Sequence, residues 1–221
     1  MANGWLPHLL GSDDIERLAA EGRVEHVRRR HVVPLDGPTP VIVVGGYFRI
    51  FRNAAFVRDV TLGLAARGDV LAPGAAFGDR SAETGAEALS EGHVLFVSAE
   101  VWQRYALTES GLSLKMAASV GRRLARLQKR LEQLSRAGVE SRVATSLIEL
   151  VDDFGTAVPG GFRLDLPLSQ EDLARLAGTT RETCSSSVAS FARRGLVRGG
   201  RLRGLVVVDR AALLTLAEGG F

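Results

Sequence analysis

The chain is 221 residues long, 46% hydrophobic and formally +3 at pH 7, enough for one large domain or two modest ones with packed cores. That charge is too small for a wholesale polybasic protein, although the pI is near 9.6, so any nucleic-acid site is expected to be local. The single cysteine, Cys184, excludes an internal disulfide, a four-cysteine zinc site and an iron–sulfur cluster.

No apolar run approaches the ~20 residues of a spanning helix, and the N-terminus lacks a basic region followed by an apolar run. A cytoplasmic location without membrane contact is therefore expected. Residues 1 to 22 read as a helical segment in which Ser12, Asp13 and Asp14 cap Ile15 to Ala20. From 23 to 105 the pattern changes to β-branched and aromatic runs punctuated by Gly, Pro and Asp: VEHVRRRHVVPL, TPVIVVGGYFRIFRN, AFVRDVTLGLAARGDVL and HVLFVS. Short strands with turns between them predict a small antiparallel β-roll. Val41 to Val44 is continuously apolar and is placed in the roll's interior, and Gly45-Gly46 marks a tight turn.

Residues 108 to 137 carry the longest unbroken helical pattern. Leu112, Met116, Val120, Leu124, Leu127, Leu131 and Leu134 step by four, four, four, three, four and three. The later part is an a/d seam flanked by Arg122, Arg123, Arg126, Arg130 and Glu132. One reading is a helix packed on its own roll. Two clean heptads with charged flanks favour a symmetric partner helix, with Met116, Val120, Leu124, Leu127, Leu131 and Leu134 as dimerisation residues. Gly138 then serves as a joint. Residues 139 to 154 form another amphipathic helix, with Val143, Leu147, Leu150 and Val151 inward. GTAVPGGFRLDLP reads as a loop and a short strand.

Leu168 to Arg194 holds the strongest local signals. Ser169 followed by Glu171 and Asp172 is a helix N-cap with acids in the first turn, and Leu173, Leu176 and Ala177 give one buried face. Gly178 stops that helix and Thr180 caps a second, at about 180–194, whose buried stripe is Cys184, Val188 and Phe191. Its other face carries Thr180, Arg181, Glu182, Ser185 and Ser186. Two short helices joined through a glycine turn are a helix-turn-helix, whose second helix fits the major groove of DNA. Residues 195 to 209 follow as two apolar runs around RGGRLRG, a β-hairpin wing. Arg193, Arg194, Arg198, Arg201 and Arg203 contain no acid among them and suit phosphate.

The string LSQEDLARLAGTTRETCSSSVASFARRGLV resembles the DNA-binding domain of the cyclic-AMP receptor protein and FNR (Crp-Fnr) superfamily of bacterial transcription regulators. The resemblance is specific over about residues 139 to 215, and TTRET after LAG is its strongest signature. GGYFRIF, GDVL and DRSA echo shorter family elements in the roll. It implies an α+β protein: a cyclic-nucleotide-binding-like antiparallel β-roll at 1–107, a dimerisation helix and hinge at 108–138, and a winged helix-turn-helix at 139–221. It further implies a homodimer on near-palindromic, double-stranded promoter DNA that recruits or blocks RNA polymerase. DNA contacts are assigned to Ser169, Gln170, Thr180, Arg181, Glu182, Thr183, Ser185, Ser186, Arg198 and Arg201, with Arg181 and Glu182 reading bases. Ser186 stands where the cyclic-AMP-responsive branch has a second arginine. Loop 156 to 161 matches in position a loop that touches RNA polymerase in the family.

The sensor departs from the family pattern. Nucleotide-binding members carry a Gly-Glu pair shortly after Gly-Asp, and the glutamate holds the ribose hydroxyl. After Gly68-Asp69 this chain reads Val70-Leu71-Ala72-Pro73. Arg80 and Ser81 either match the Arg-Ser that grips the cyclic phosphate or form a chance DRSA in a surface loop. The residues that meet the base become Leu127 and Gln128. A phosphate on Arg80 without its ribose partner forgoes a charged hydrogen bond worth ~1.5–3 kcal/mol, so cyclic AMP is not expected as the physiological ligand. His8, His26, His31 and His93 read as structural or solvated side chains rather than haem ligands, and no cofactor is expected. The leading function is a DNA-binding regulator. The alternative is a ligand-sensing or protein-interaction module whose winged helix docks a protein. An enzyme is the least supported: there is no metal-ligand spacing, nucleophile motif, phosphate-cradling glycine loop or paired-carboxylate site.

Overall fold

The computed structural model describes residues 10–35, 37–54, 57–71, 75, 84–109, 111, 116–117, 120–121, 124–125, 127–128, 138–199 and 202–218. The chain divides into two compact units, 1–127 and 128–221. In the first, β1 (Arg23–Val27), β2 (Val32–Pro34), β3 (Val41–Gly45), β4 (Phe48–Ala54), β5 (Val57–Ala65), β6 (Thr84–Ala88) and β7 (Gly92–Phe96) pair antiparallel throughout. They make two sheets, of order β1-β7-β3 and β2-β6-β4-β5.

Both sheets contribute to one core. Val27, Val41, Val43 and Val94 come from the first, and Val33, Phe48, Ile50, Ala86 and Ala88 from the second. Because side chains alternate along a strand, Ile42 and Leu95 point the other way. They enter a second core with Ile15 and Leu18 of α1 (Ser12–Ala19) and the fully buried Trp102 of α2 (Ala99–Thr108). The unbroken apolar run at Val41 thus reflects burial on both faces of β3. Gly46 turns β3 into β4 at φ +88°.

Two details differ from the sequence reading. Asp14 Oδ2 accepts the Gly11 N–H at 2.8 Å, so Gly11 is the N-cap and Ser12 opens the helix. Helix begins before residue 108, because Ser98 caps α2 through the Val101 N–H at 3.2 Å. Beyond α2, the described residues between 111 and 128 are helical. Met116 packs against the Trp102 core, while Val120 and Leu124 are 50% and 55% exposed. Leu131 and Leu134 lie outside the described residues.

The second unit contains α3 (Val139–Phe154), β8 (Thr156–Val158), β9 (Gly161–Leu164), α4 (Gln170–Ala177), α5 (Arg181–Arg193), β10 (Val197–Arg198), β11 (Leu205–Val207) and α6 (Arg210–Ala217). Its sheet has the order β10-β11-β9-β8. Val143, Leu147, Leu150 and Val151 of α3 are buried as the periodicity predicts. The stretch after α3 is a full hairpin, β8 with β9, rather than a loop and one strand. α6 is a further helix that the sequence pattern did not lead one to expect. Asp209 caps it by accepting the Ala212 N–H at 2.9 Å, and Leu213 and Ala217 are buried.

One charged group lies deep in the roll. Arg49 on β4 is 3% exposed. It donates to Glu87 Oε2 from Nε and Nη2, to Asp59 Oδ2 at 2.6 Å and to Thr61 Oγ1 at 3.2 Å, and its Cζ lies 4.6 Å from the Phe51 ring centroid. Removing one partner of a buried pair strands the other charges. Arg49→Met is expected to cost about 2–3 kcal/mol, less than for a fully buried pair because Asp59 and Glu87 keep some water. Urea unfolding followed by far-UV dichroism checks this, and an unchanged midpoint contradicts it.

Candidate nucleic-acid interface

The helix pair α4–α5 is built by its caps. Ser169 Oγ accepts the Asp172 N–H at 3.2 Å, and Asp172 Oδ2 accepts the Ser169 N–H at 2.8 Å and its hydroxyl at 2.6 Å. Leu173, Leu176 and Ala177 of α4 are buried. Gly178 ends the helix in the left-handed region at φ 61°, ψ 45°, where any Cβ is strained. Thr180 then caps α5, accepting the Thr183 N–H at 3.3 Å. Cys184, Val188 and Phe191 face inward, and Leu196 N–H returns to Phe191 O at 2.9 Å where α5 ends.

With that face buried, the first turn of α5 presents Thr180, Arg181, Glu182 and Thr183 to solvent, and Ser186 one turn later. Ser185 is half-buried and donates its hydroxyl to Gln170 Oε1, which ties α5 back to α4. The hydroxyl of Ser169 is occupied by its own capping carboxylate. Ser169 itself is exposed at the start of α4. The start of α5 is capped by the neutral hydroxyl of Thr180, with Glu182 exposed in its first turn.

The wing follows as expected. β10 and β11 pair at Val197↔Val207 and Arg198↔Val206, and Leu202 is buried in the connection. Arg198 and Arg203 are exposed, and Arg201 lies outside the described residues. Apart from Arg142, the described arginines of this unit sort into two groups. Arg163, Arg175, Arg194 and Arg210 pair with Asp165, Glu171, Glu140 and Asp152. Among the described residues, Arg181, Arg193, Arg198 and Arg203 are exposed and form no ion pair. All four lie on α5 or the wing.

Sequence reasoning missed Arg142. This α3 residue donates from Nε to Ala177 O at 3.1 Å and from Nη2 to Gly178 O at 3.3 Å, gripping the turn of the helix pair. An arginine one turn into an amphipathic helix gives no sequence signal of that contact. Of the sensor residues, Arg80 and Ser81 lie outside the described residues. Leu127 is half-buried and Gln128 exposed, both helical. His26 and His93 stand across β1 and β7 with ring centroids 5.1 Å apart, and His26 Nε2 lies 2.8 Å from Glu91 Oε1. His31 is exposed and His8 lies outside the described residues. Among the described residues, no group of three His, Cys, Asp or Glu is arranged to hold a metal.

Residues 141–216 match the family model of the Crp-like helix-turn-helix domain. The chain is 30% identical over 184 residues to the cyclic AMP receptor protein of Thermus thermophilus, covering 80% of this chain and 78% of that one. It is 28% identical over 157 residues to a CRP-like cAMP-activated global transcriptional regulator of Mycobacterium tuberculosis, covering 71% and 70%. A CooA mutant from Carboxydothermus hydrogenoformans shares the fold, with a TM-score of 0.75 at 22% identity over 91% of this chain and 90% of that one.

Cys184 sits beneath the exposed turn. Burial pushes its thiol up from 9.0 to about 11. The folded state holds the proton more tightly than the unfolded chain does. This contribution to stability is therefore full below pH 9 and is lost as the pH rises towards 11. At about pH 8 a disulfide reagent is expected to react slowly with the folded protein and rapidly in urea, because the thiolate is the nucleophile. Equal rates contradict the buried placement.

Proposed function

The chain belongs to the Crp-Fnr superfamily of DNA-binding transcription regulators, and from that premise we propose a homodimer that reads a near-palindromic promoter site with Arg181 and Glu182. The observation that carries this reading is the exposed first turn of α5, where among the described residues Arg181 and Glu182 form no ion pair, on a helix whose opposite face is buried. A helix enters the major groove by its first turn. There Arg181 forks to guanine O6 and N7, and Glu182 accepts from a cytosine amine. Arg193, Arg198 and Arg203 supply phosphate contacts whose strength falls with salt. The action is binding, without bond chemistry.

The dimer is supported by Val120 and Leu124, apolar, four apart, helical and half exposed in the single chain. A partner helix covers them, and a twofold axis sets two recognition helices roughly 34 Å apart, one turn of DNA. The exposed β8–β9 hairpin, with Thr156, Ala157, Pro159 and Gly160 in solvent, is the surface offered to RNA polymerase. Cyclic AMP does not control this protein, because Ala72-Pro73 stands where nucleotide-binding members carry Gly-Glu. The cyclic-AMP names of two relatives make that worth measuring directly. Calorimetry is expected to show no cyclic-AMP binding at micromolar concentration, and such binding defeats this part of the reading.

Arg181→Ala is expected to weaken the best site by ~1–3 kcal/mol and relax one base position in each half-site. Arg198→Ala is expected to weaken all duplexes alike and lower the salt slope by about one. Titration of both variants over a range of salt separates the two roles. Equal loss on every sequence for Arg181→Ala removes it from base reading.

A further inference from the structure

Three successive residues in the first turn of α3 each hold a different element of the second unit. Glu140 pairs with Arg194 at the end of α5 at 3.7 Å. Ser141 Oγ donates to Ala217 O, at the end of α6, at 2.9 Å. Arg142 donates to Ala177 O and Gly178 O at the close of α4. The Glu140–Arg194 pair is nearly half exposed on both sides and contributes little. The Ser141 bond is buried but reaches α6, away from the reading turn. Of these three, Arg142 is the one that reaches the connection between α4 and α5.

The carbonyls of that connection explain why an arginine is needed. A helix leaves its last carbonyls without intrahelical partners. Here the main chain satisfies two of them: Thr179 N–H reaches Ala174 O at 2.9 Å and Gly178 N–H reaches Arg175 O at 3.4 Å. Further along, Ala177 O and Gly178 O both accept from the one guanidinium of Arg142. Its charge also meets the negative end of α4. Only Thr179 and Thr180 separate Gly178 from the first residue of α5, so the direction of α5 depends on how this peptide is held.

We propose that Arg142 is a positioning residue for DNA reading, which fixes the α4–α5 turn and thereby the aim of Arg181 and Glu182. This rests on the DNA-binding reading above. Arg142 touches no base or phosphate; it acts through the turn. Its loss affects discrimination between sequences more than attraction to DNA in general, because the phosphate-binding arginines stay in place.

The test uses the full chain as wild type, Arg142→Met and Arg142→Lys. Each is titrated with the wild type's selected duplex and with a scrambled duplex of equal length, across a range of salt. Arg142→Met keeps the aliphatic stem and removes the donors. It is expected to weaken the selected site by about tenfold, on the scale of one charge-assisted hydrogen bond, with the scrambled duplex and the salt slope unchanged. Arg142→Lys is expected to recover part of the loss through a single donor. Amide exchange at Gly178 and Thr179 should quicken in Arg142→Met while the chain stays folded. Unchanged affinity of Arg142→Met for the selected site overturns the proposal. So does a parallel loss on both duplexes that tracks the folded fraction, the mark of a merely structural residue. A wild type that cannot tell the duplexes apart defeats the DNA reading itself, and the proposal with it, before any variant is compared.

Discussion

The short connection from Gly178 to Thr180 governs the second unit. It must end one helix, reverse the chain and start another within three residues, without leaving buried polar groups unmatched. Gly178 supplies a backbone conformation that a side chain would strain, Thr180 supplies the new cap, and Arg142 supplies donors for the carbonyls left over. Everything beyond depends on that geometry. The buried stripe of Cys184, Val188 and Phe191 sits on the core only if α5 leaves the turn in the right direction, and only then do Arg181 and Glu182 face solvent together.

Charge is handled differently in the two units. In the roll, Arg49 is enclosed by Glu87, Asp59 and Thr61, and Arg17 and Arg104 pair with Glu109 and Glu21. Arg67 reaches a carbonyl of β3. These side chains hold elements of the first unit together. In the second unit Arg142, Arg163, Arg175, Arg194 and Arg210 are likewise engaged, whereas among the described residues Arg181, Arg193, Arg198 and Arg203 form no ion pair. A modest net charge of +3 is compatible with a local cluster of exposed arginines near the C-terminus.

The sequence announced those features whose residue types have few other uses. Ser169 and Thr180 before helical patterns, glycine after them and period-four apolar stripes all mean one thing locally, so the helix pair could be read residue by residue. Elements that owe their form to neighbours could not. β6, Thr84–Ala88, has almost no strand-forming residues; its Ala86 and Ala88 are small because the core between the sheets leaves little room. β8 is only three residues long and largely exposed, and it exists because β9 pairs with it. The cap of α1 shifted by one residue because a carboxylate three residues on can serve a glycine as well as a serine. Arg142 was invisible because its partners are main-chain carbonyls, which no side-chain pattern marks. The sensor motif at 80–81 falls outside the described residues, and so do Leu131 and Leu134 of the helical seam.

Selection of binding sites from random duplex DNA by the purified full-length chain tests the central claim most directly, first with no added ligand and again with cell extract. The account predicts enrichment of a near-palindrome with half-site centres about one helical turn apart and a conserved guanine and cytosine in each half. No enrichment under either condition, or enrichment of single unpaired half-sites only, contradicts a dimeric reader built on Arg181 and Glu182.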